Sequence, residues 1–272
     1  MKNKSFQDKV VIITGASSGI GKACAVQLAS LGAHVVIAGR NEEKLKNTEN
    51  EIKTLGGSVV SISTDVSNQE DCQKLINKTI EKFNKIDILI NNAGISMRAR
   101  FEDLDIDVIK RLMDTNFYGT VFCTKYALPY ILKQKGSIVG ISSLAGVAPL
   151  PGRTGYSSSK HAINGFLNTI RVENLKTGLH VLVAHPGFTA SNIRMTALNK
   201  DGQPQKETPR TESKMMTSEE AAHHIIKALF KRKREITLTM QGKLLAWTYK
   251  RFPSFADKMI FKEMESEEKG NR

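Results

Sequence analysis

Seven short runs rich in β-branched residues punctuate the chain, at 10–13, 34–38, 58–62, 87–90, 137–141, 180–184 and 235–239. Between them lie stretches whose apolar positions recur at helical spacing, at 20–31, 42–55, 70–83, 106–133, 156–177 and 218–231. The strand runs are apolar on successive positions rather than alternating, which is the mark of strands covered by helices on both faces. Strict strand–helix alternation predicts right-handed crossovers and an α/β fold of three layers, a doubly wound parallel sheet of about seven strands. In such sheets ligands bind beyond the carboxyl ends of the strands, where the strand order reverses. The 272 residues suit one large domain, with no linker and no internal repeat. We read 1–240 as that domain and 241–272 as an amphipathic extension belonging to it.

The chemistry-bearing residues cluster where this fold places ligands. The first strand run ends in Thr14-Gly15-Ala16-Ser17-Ser18-Gly19-Ile20-Gly21, and a helix begins there. Glycines allow a tight turn and a close backbone approach to a pyrophosphate, and the helix N-terminus offers unpaired N–H groups and partial positive charge. The second run ends in Gly39-Arg40, where an acidic residue would hold a ribose 2′-hydroxyl. A guanidinium there suits a 2′-phosphate instead, which predicts NADP(H) as cofactor. Asp65 and Val66 follow the third run and are candidates to meet the adenine amino group and ring. Asn91-Asn92-Ala93-Gly94 closes the fourth, with small residues leaving room for a cofactor and amides able to lock adjacent strands.

Tyr156 and Lys160 stand four apart on a helix and so share a face. A free phenol has a pKa of about 10, and a neighbouring ammonium favours its ionised form and brings it toward acid–base use. The ammonium is also placed to hydrogen-bond ribose hydroxyls. Ser143, thirteen residues upstream, offers a hydroxyl for a substrate oxygen. Asn116, inside the long helix, is a candidate to hold a water relaying protons to Lys160. Taken in order, the glycine loop, Asn91 to Gly94, Asn116, Ser142-Ser143 and Tyr156…Lys160 closely resemble the short-chain dehydrogenase/reductase family over residues 9–239. The resemblance implies a Rossmann fold, Tyr156 as acid–base residue, Lys160 as its activator, Ser143 rather than Ser142 as the orienting hydroxyl, and Asn116 as relay. It implies that Pro186 and Gly187 close on the nicotinamide, with either Thr189 or Ser191 meeting its carboxamide. It also places a substrate lid at 188–216, where Met195, Leu198, Met215 and Met216 offer apolar surface.

The expected activity is hydride transfer between NADP(H) and a carbonyl or secondary alcohol, as an NADPH-dependent ketone or 3-oxoacyl-type reductase. A catalytically silent dinucleotide-binding regulator or scaffold is the reading of another class, and intact Ser143, Tyr156 and Lys160 speak against it. An epimerase or dehydratase on a related fold would need a longer chain and another glycine spacing. His185 is read as strand-end packing ahead of a pocket role. Three cysteines without a C-x-x-C pair argue against metal or disulfide chemistry and fit a reducing, cytoplasmic setting. The polar N-terminus shows no signal core, and no apolar run is long enough to span a bilayer. Forty basic against 27 acidic residues give a net charge of +13, spread along the chain without a nucleic-acid motif. Two features concern partners. Association of two or four copies through the two longest helices follows from the resemblance. The tail mixes Leu244, Leu245, Trp247, Phe252, Phe255, Met259, Ile260 and Phe261 with lysines, a pattern suited to a subunit contact, a pocket cover or, less favoured here, a lipid surface.

Overall fold

The computed structural model describes residues 6–187, 189, 193, 195–205 and 215–269. Seven strands form one sheet, β1 (Val10–Thr14), β2 (His34–Gly39), β3 (Ser58–Ser63), β4 (Ile88–Asn91), β5 (Ser137–Ile141), β6 (His180–His185) and β7 (Glu235–Thr237). Their order is β3-β2-β1-β4-β5-β6-β7, with every neighbouring pair parallel. The order reverses between β1 and β4, so the crevice for a ligand opens beyond the ends of those two strands.

Helices α1 (Gly19–Ser30), α2 (Glu42–Thr54) and α7 (Ser218–Phe230) cover one face, and α3 (Gln69–Phe83), α5 (Gly119–Lys133) and α6 (Thr154–Glu173) the other. Alternate strand residues divide between the two cores. Val11, Ile13, Ile90, Val139 and Leu182 pack with Leu28 of α1 and Ile225 of α7. Ile12, Leu89, Ile138 and Val181 pack with Leu75 of α3, Ile131 of α5 and Leu167 of α6. This two-sided burial is why the central runs carry no polar alternation, whereas the edge strands β3 and β7 are partly exposed and keep polar positions. Gly140 has no room for a side chain, since a Cβ there would lie 2.2 Å from Leu167 Cδ1.

The structure departs from the expected boundaries in instructive places. The long helix 106–133 is continuous in space but not in type. It runs as α4 (Ile106–Leu112), a π-helical turn over Met113–Tyr118, and α5. No proline or glycine inside the turn signals it. Gly119, directly after, lets the backbone approach Val66, whose Cγ2 would lie 2.8 Å from an added Cβ. The expected helix 156–177 starts at Thr154, two residues before Tyr156, and stops at Glu173. β7 stops at Thr237, because Thr239 caps a further helix, α8 (Met240–Arg251), accepting a hydrogen bond from Gly242 N at 3.0 Å. Pro253 opens α9 (Pro253–Lys269), breaking the tail into two helices. No helix among the described residues is long and apolar enough to cross a membrane. All three cysteines are buried and unbridged, and Cys72 on α3 and Cys123 on α5 meet at 3.5 Å despite their distance in sequence.

Opposite the crevice, Asp87 ties the amino ends of three strands together. Its carboxylate accepts from Lys9 Nζ at 2.8 Å and Val10 N at 3.0 Å, and Lys85 Nζ lies 3.3 Å away. Its backbone pairs with Val10 and Ser137. Burial raises the carboxyl pKa, but the Lys9 and Val10 hydrogen bonds and the two lysine charges outweigh it and hold it below the ordinary value. A group with a depressed folded pKa stabilises above the unfolded value, and the contribution fades as pH falls through the folded one. Asp87→Ala is therefore expected to lower unfolding free energy by about 2 kcal/mol at pH 7, with the difference from wild type shrinking in melts below pH 4. A pH-independent difference would refute the charged role.

Candidate active site

The loop after β1 is shaped by two residues with positive φ, Gly15 (64°) and Gly19 (57°). Ser18 is the N-cap of α1 but makes no side-chain cap bond, and the first turn holds no acidic residue. The helix therefore presents its first N–H groups outward. Gly21 plays a supporting part. A Cβ there would lie 2.5 Å from Gly15 O and 2.4 Å from Asn92 Nδ2, so its role is close packing of helix against loop. Asn92 fixes the same loop, donating to Thr14 O at 2.9 Å and Gly15 O at 3.1 Å, while Thr14 Oγ1 accepts from Asn92 N and Ala93 N. Asn91 Nδ2 donates to Thr124 Oγ1 at 3.0 Å. The amides after β4 thus lock strand and helix, as their sequence position suggests.

A cleft of about 660 Å³ runs from this loop across the carboxyl ends of the strands. Gly15, Ser17, Ser18, Gly19 and Ile20 line its floor, and Arg40, Asp65 and Val66 its end beyond β2 and β3. Asn92, Ala93, Gly94, Pro186, Gly187 and Thr189 line the middle, with Ser143, Tyr156 and Lys160 beyond. Two residues expected at the site do not line it: Gly21, for the packing reason given, and Asn116, which is fully buried. Ser191 lies outside the described residues, so Thr189 alone of the two carboxamide candidates is placed. Its hydroxyl donates to Gly187 O at 3.3 Å.

At the end beyond β2 and β3, Arg40 Nη1 stands 3.9 Å from Asp65 Oδ2, both groups substantially exposed. The other Asp65 oxygen accepts from Ser67 N and Ser67 Oγ. The cap of α3 comes from Asn68, which accepts from Asp71 N. Lys44 joins Arg40 in lining this end, on the first turn of α2. Sequence reading passed over it because a lysine on a charged helix carries no motif.

Tyr156 stands in the first turn of α6, and Lys160 one turn on, its Nζ 5.7 Å from the Tyr156 ring centroid. The ammonium donates to Ile141 O at 2.8 Å and is almost wholly buried. Burial lowers its pKa to about 8. The Ser143 hydroxyl hydrogen-bonds the phenol. Ser143 also caps the short 3-10 turn Leu144–Gly146 by accepting from Ala145 N. Ser142, which also lines the cleft, donates its hydroxyl to Lys160 O at 3.3 Å.

The expectation that a cation lowers the Tyr156 pKa needs correcting. Burial dominates and raises it. The opposing influences are the Ser143 hydrogen bond and the charge of Arg153, not that of Lys160. Arg153, three residues before Tyr156, lines the cleft and donates to Ser96 Oγ at 3.1 Å and Met97 O at 3.0 Å. It precedes the helical spacing that drew notice to Tyr156 and was missed for that reason.

Asn116 sits in the π turn. Its Oδ1 accepts from Ile95 N at 2.8 Å, and its Nδ2 donates to Ile95 O at 3.0 Å and Ser159 Oγ at 2.9 Å. The side chain thus clamps the backbone after Gly94 to α6, and both amide protons are used. Gly94 lets the backbone lie close to Asn116 and Lys160, since an added Cβ would be 3.1 Å from Asn116 Oδ1 and 3.5 Å from Lys160 Nζ. His185 faces away from the cleft, its Nδ1 3.2 Å from Ser143 O and its Nε2 3.1 Å from Glu235 on β7. It braces the end of β5 against the sheet edge, in keeping with a packing role. Of the lid, Leu198 is buried against Met97 and Val108, whereas Met195 stays exposed. Ile193, Thr196, Leu198 and Pro204 also line the cleft.

Comparison with known proteins agrees with this geometry. A family model described as short chain dehydrogenase matches residues 9–202. Dehydrogenase/reductase SDR family member 7B of Xenopus tropicalis is 35% identical over 238 residues, covering 85% of this chain and 77% of its own. The 11-beta-hydroxysteroid dehydrogenase-like 2 protein of Arabidopsis thaliana is 42% identical over 198 residues, covering 71% of this chain and 64% of its own. Among solved structures, a short chain dehydrogenase/reductase from Burkholderia phymatum in complex with NAD superposes with a TM-score of 0.82 at 24% identity, over 92% of this chain and 96% of that one. A sheet of this order, a glycine loop at its switch point and a Ser–Tyr–Lys group beside it, together with these matches, place the chain in the short-chain dehydrogenase/reductase family.

Proposed function

We propose that the protein is an NADPH-dependent reductase of ketones. When bound, the nicotinamide cofactor supplies the hydride. The cleft fits a dinucleotide: it is long, glycine-floored, and opens on the unpaired N–H groups of α1. Ser143 and Tyr156 hold the carbonyl oxygen between two hydroxyls. The raised pKa keeps the phenol protonated at neutral pH, so Tyr156 donates a proton to that oxygen as charge builds there. Lys160 binds ribose hydroxyls and sits where protons return to the phenol.

The observation that carries the cofactor choice is Arg40, with Lys44 beside it, at the end of β2, where no carboxylate from that strand stands to hold a 2′-hydroxyl. Charge-assisted bonds to phosphate of this kind contribute about 1.5–3 kcal/mol each. Wild-type protein is expected to prefer NADPH. Arg40→Ser should lower kcat/KM for NADPH by about 10- to 100-fold and leave NADH nearly unchanged. Equal efficiency with both cofactors in wild type would overturn the choice.

For the substrate, relatives named as 11-beta-hydroxysteroid dehydrogenase-like, together with Leu150, Ile193 and Leu198 in the cleft wall, support a bulky apolar ketone. A steroid-ketone panel run beside 3-oxoacyl thioesters under NADPH separates the two expected classes. Pairing of copies through α5 and α6 is supported by exposed Tyr118 and Val172 on that surface, and sedimentation of the pure protein tests it. We place the enzyme in the cytoplasm on its free cysteines, a placement that fractionation checks.

A further inference from the structure

We propose that the two C-terminal helices dock on the surface of an anionic phospholipid bilayer. On α8, Met240, Leu244 and Trp247 are exposed by 76, 62 and 57% and fall at i, i+4 and i+7, one continuous stripe. Lys243 and Lys250, seven apart, run alongside, and Arg251 ends the stripe. On α9, Phe255 and Met259 are exposed by 59 and 48% with Lys258 and Lys262 beside them, while Asp257, Glu263, Glu265, Glu267 and Glu268 make this helix acidic overall, so the basic charge that meets a headgroup layer sits on α8. The helices turn their small or aliphatic residues inward, Gly242, Thr248, Ala256 and Ile260 being buried. The Trp247 and Phe252 rings meet with centroids 5.8 Å apart, so the apolar row crosses the break between the helices.

A soluble domain has no use for such a row facing water, and its charge selects the occupant. α8 carries three basic residues and no acidic one, so the same helix of a second copy laid against it about a two-fold axis would bring like charges together. An anionic headgroup layer accepts those cations while the rings and aliphatic side chains enter the interface, where tryptophan is at home. The root of α8 is fixed to the body at the active site. Gly242 lies so close to Leu144 that an added Cβ would be 2.9 Å from it, and Thr239 Oγ1 would be 2.8 Å from a Cβ on Gly187. Docking would therefore be rigidly transmitted to the turn that carries Ser143.

Trp247 is the sole tryptophan of the chain, so its emission reports on this row alone. The full-length protein is titrated with vesicles of phosphatidylcholine and with vesicles of equal parts phosphatidylcholine and phosphatidylglycerol. The expected result is a blue shift and co-flotation with the anionic vesicles, weakened by salt. The double variant Lys243→Glu, Lys250→Glu should bind at least about ten-fold more weakly, at roughly 1 kcal/mol per surface charge. Leu244→Ser with Phe255→Ser should lose flotation while keeping the wild-type melting temperature, because both side chains are already solvent-exposed. Unshifted emission with anionic vesicles, equal binding to neutral ones, or a blue shift that grows with protein concentration without lipid would each overturn the proposal, the last in favour of self-association.

Discussion

Tyr156→Phe is expected to reduce turnover about 1,000-fold while NADPH binding, read by fluorescence titration, stays within two-fold of wild type. The replacement removes one oxygen, and with it the phenol proton that the proposed step delivers to the substrate oxygen. Ring packing is kept, and the backbone carbonyl of Tyr156 still accepts from Ser159 Oγ at 2.8 Å. The active-site scaffold therefore survives, and the loss falls on the chemical step. A variant that turns over normally would remove Tyr156 from the mechanism. One that loses both turnover and cofactor affinity would show that the phenol organises the site rather than acting in it.

Lys160→Met is expected to abolish reduction to a similar degree and, in the cofactor-free protein, to raise stability. The ammonium is buried and donates to Ile141 O, and burial drops its pKa from 10.5 to about 8. The sign follows from the direction of the shift. Below pH 8 the amine is protonated in both the folded and unfolded chain, so folding bears the full cost of burying the charge. Between 8 and 10.5 the unfolded chain binds more protons than the folded one, and wild-type stability climbs with pH. Met at this position bears no such cost but loses the bond to Ile141. We expect a net gain of about 2 kcal/mol at pH 7, roughly 4 °C in melting temperature, shrinking toward zero near pH 10. A variant less stable than wild type at pH 7 would show that the ammonium holds the site together before any cofactor arrives.

How far the site could be read from sequence depended on whether a residue's role was local. The glycine loop, Tyr156, Lys160 and Ser143 were legible because their function rides on spacing along one turn or helix. Asn116 was legible as a position but not in its action: an α-helical frame hides the π turn, and nothing in the sequence marks Ile95 as its partner. Arg153 and Lys44 enter the cleft through the way separate segments fold together, which no periodicity records. The same holds for the sign of the Tyr156 shift, since burial is a property of the whole surround. The strands were placed to within two residues because two-sided burial imposes an unbroken apolar run. The tail's two helices were less visible, because their apolar residues face outward and so obey no core.

Asp87 and the Ser143–Tyr156–Lys160 group stand at opposite ends of the same strands. The strand ends that knot the sheet together touch no substrate, and the ends that touch substrate close none of that knot. Variation in the loops around Leu150, Ile193 and Leu198 can thus retune what the cleft admits while the anchoring end is left alone. Conversely, a library aimed at heat resistance can be confined to the Lys9–Asp87–Ser137 end with little danger to catalysis. The two properties are inherited on separate edges of one sheet, which makes this scaffold a practical starting point for engineering either without the other.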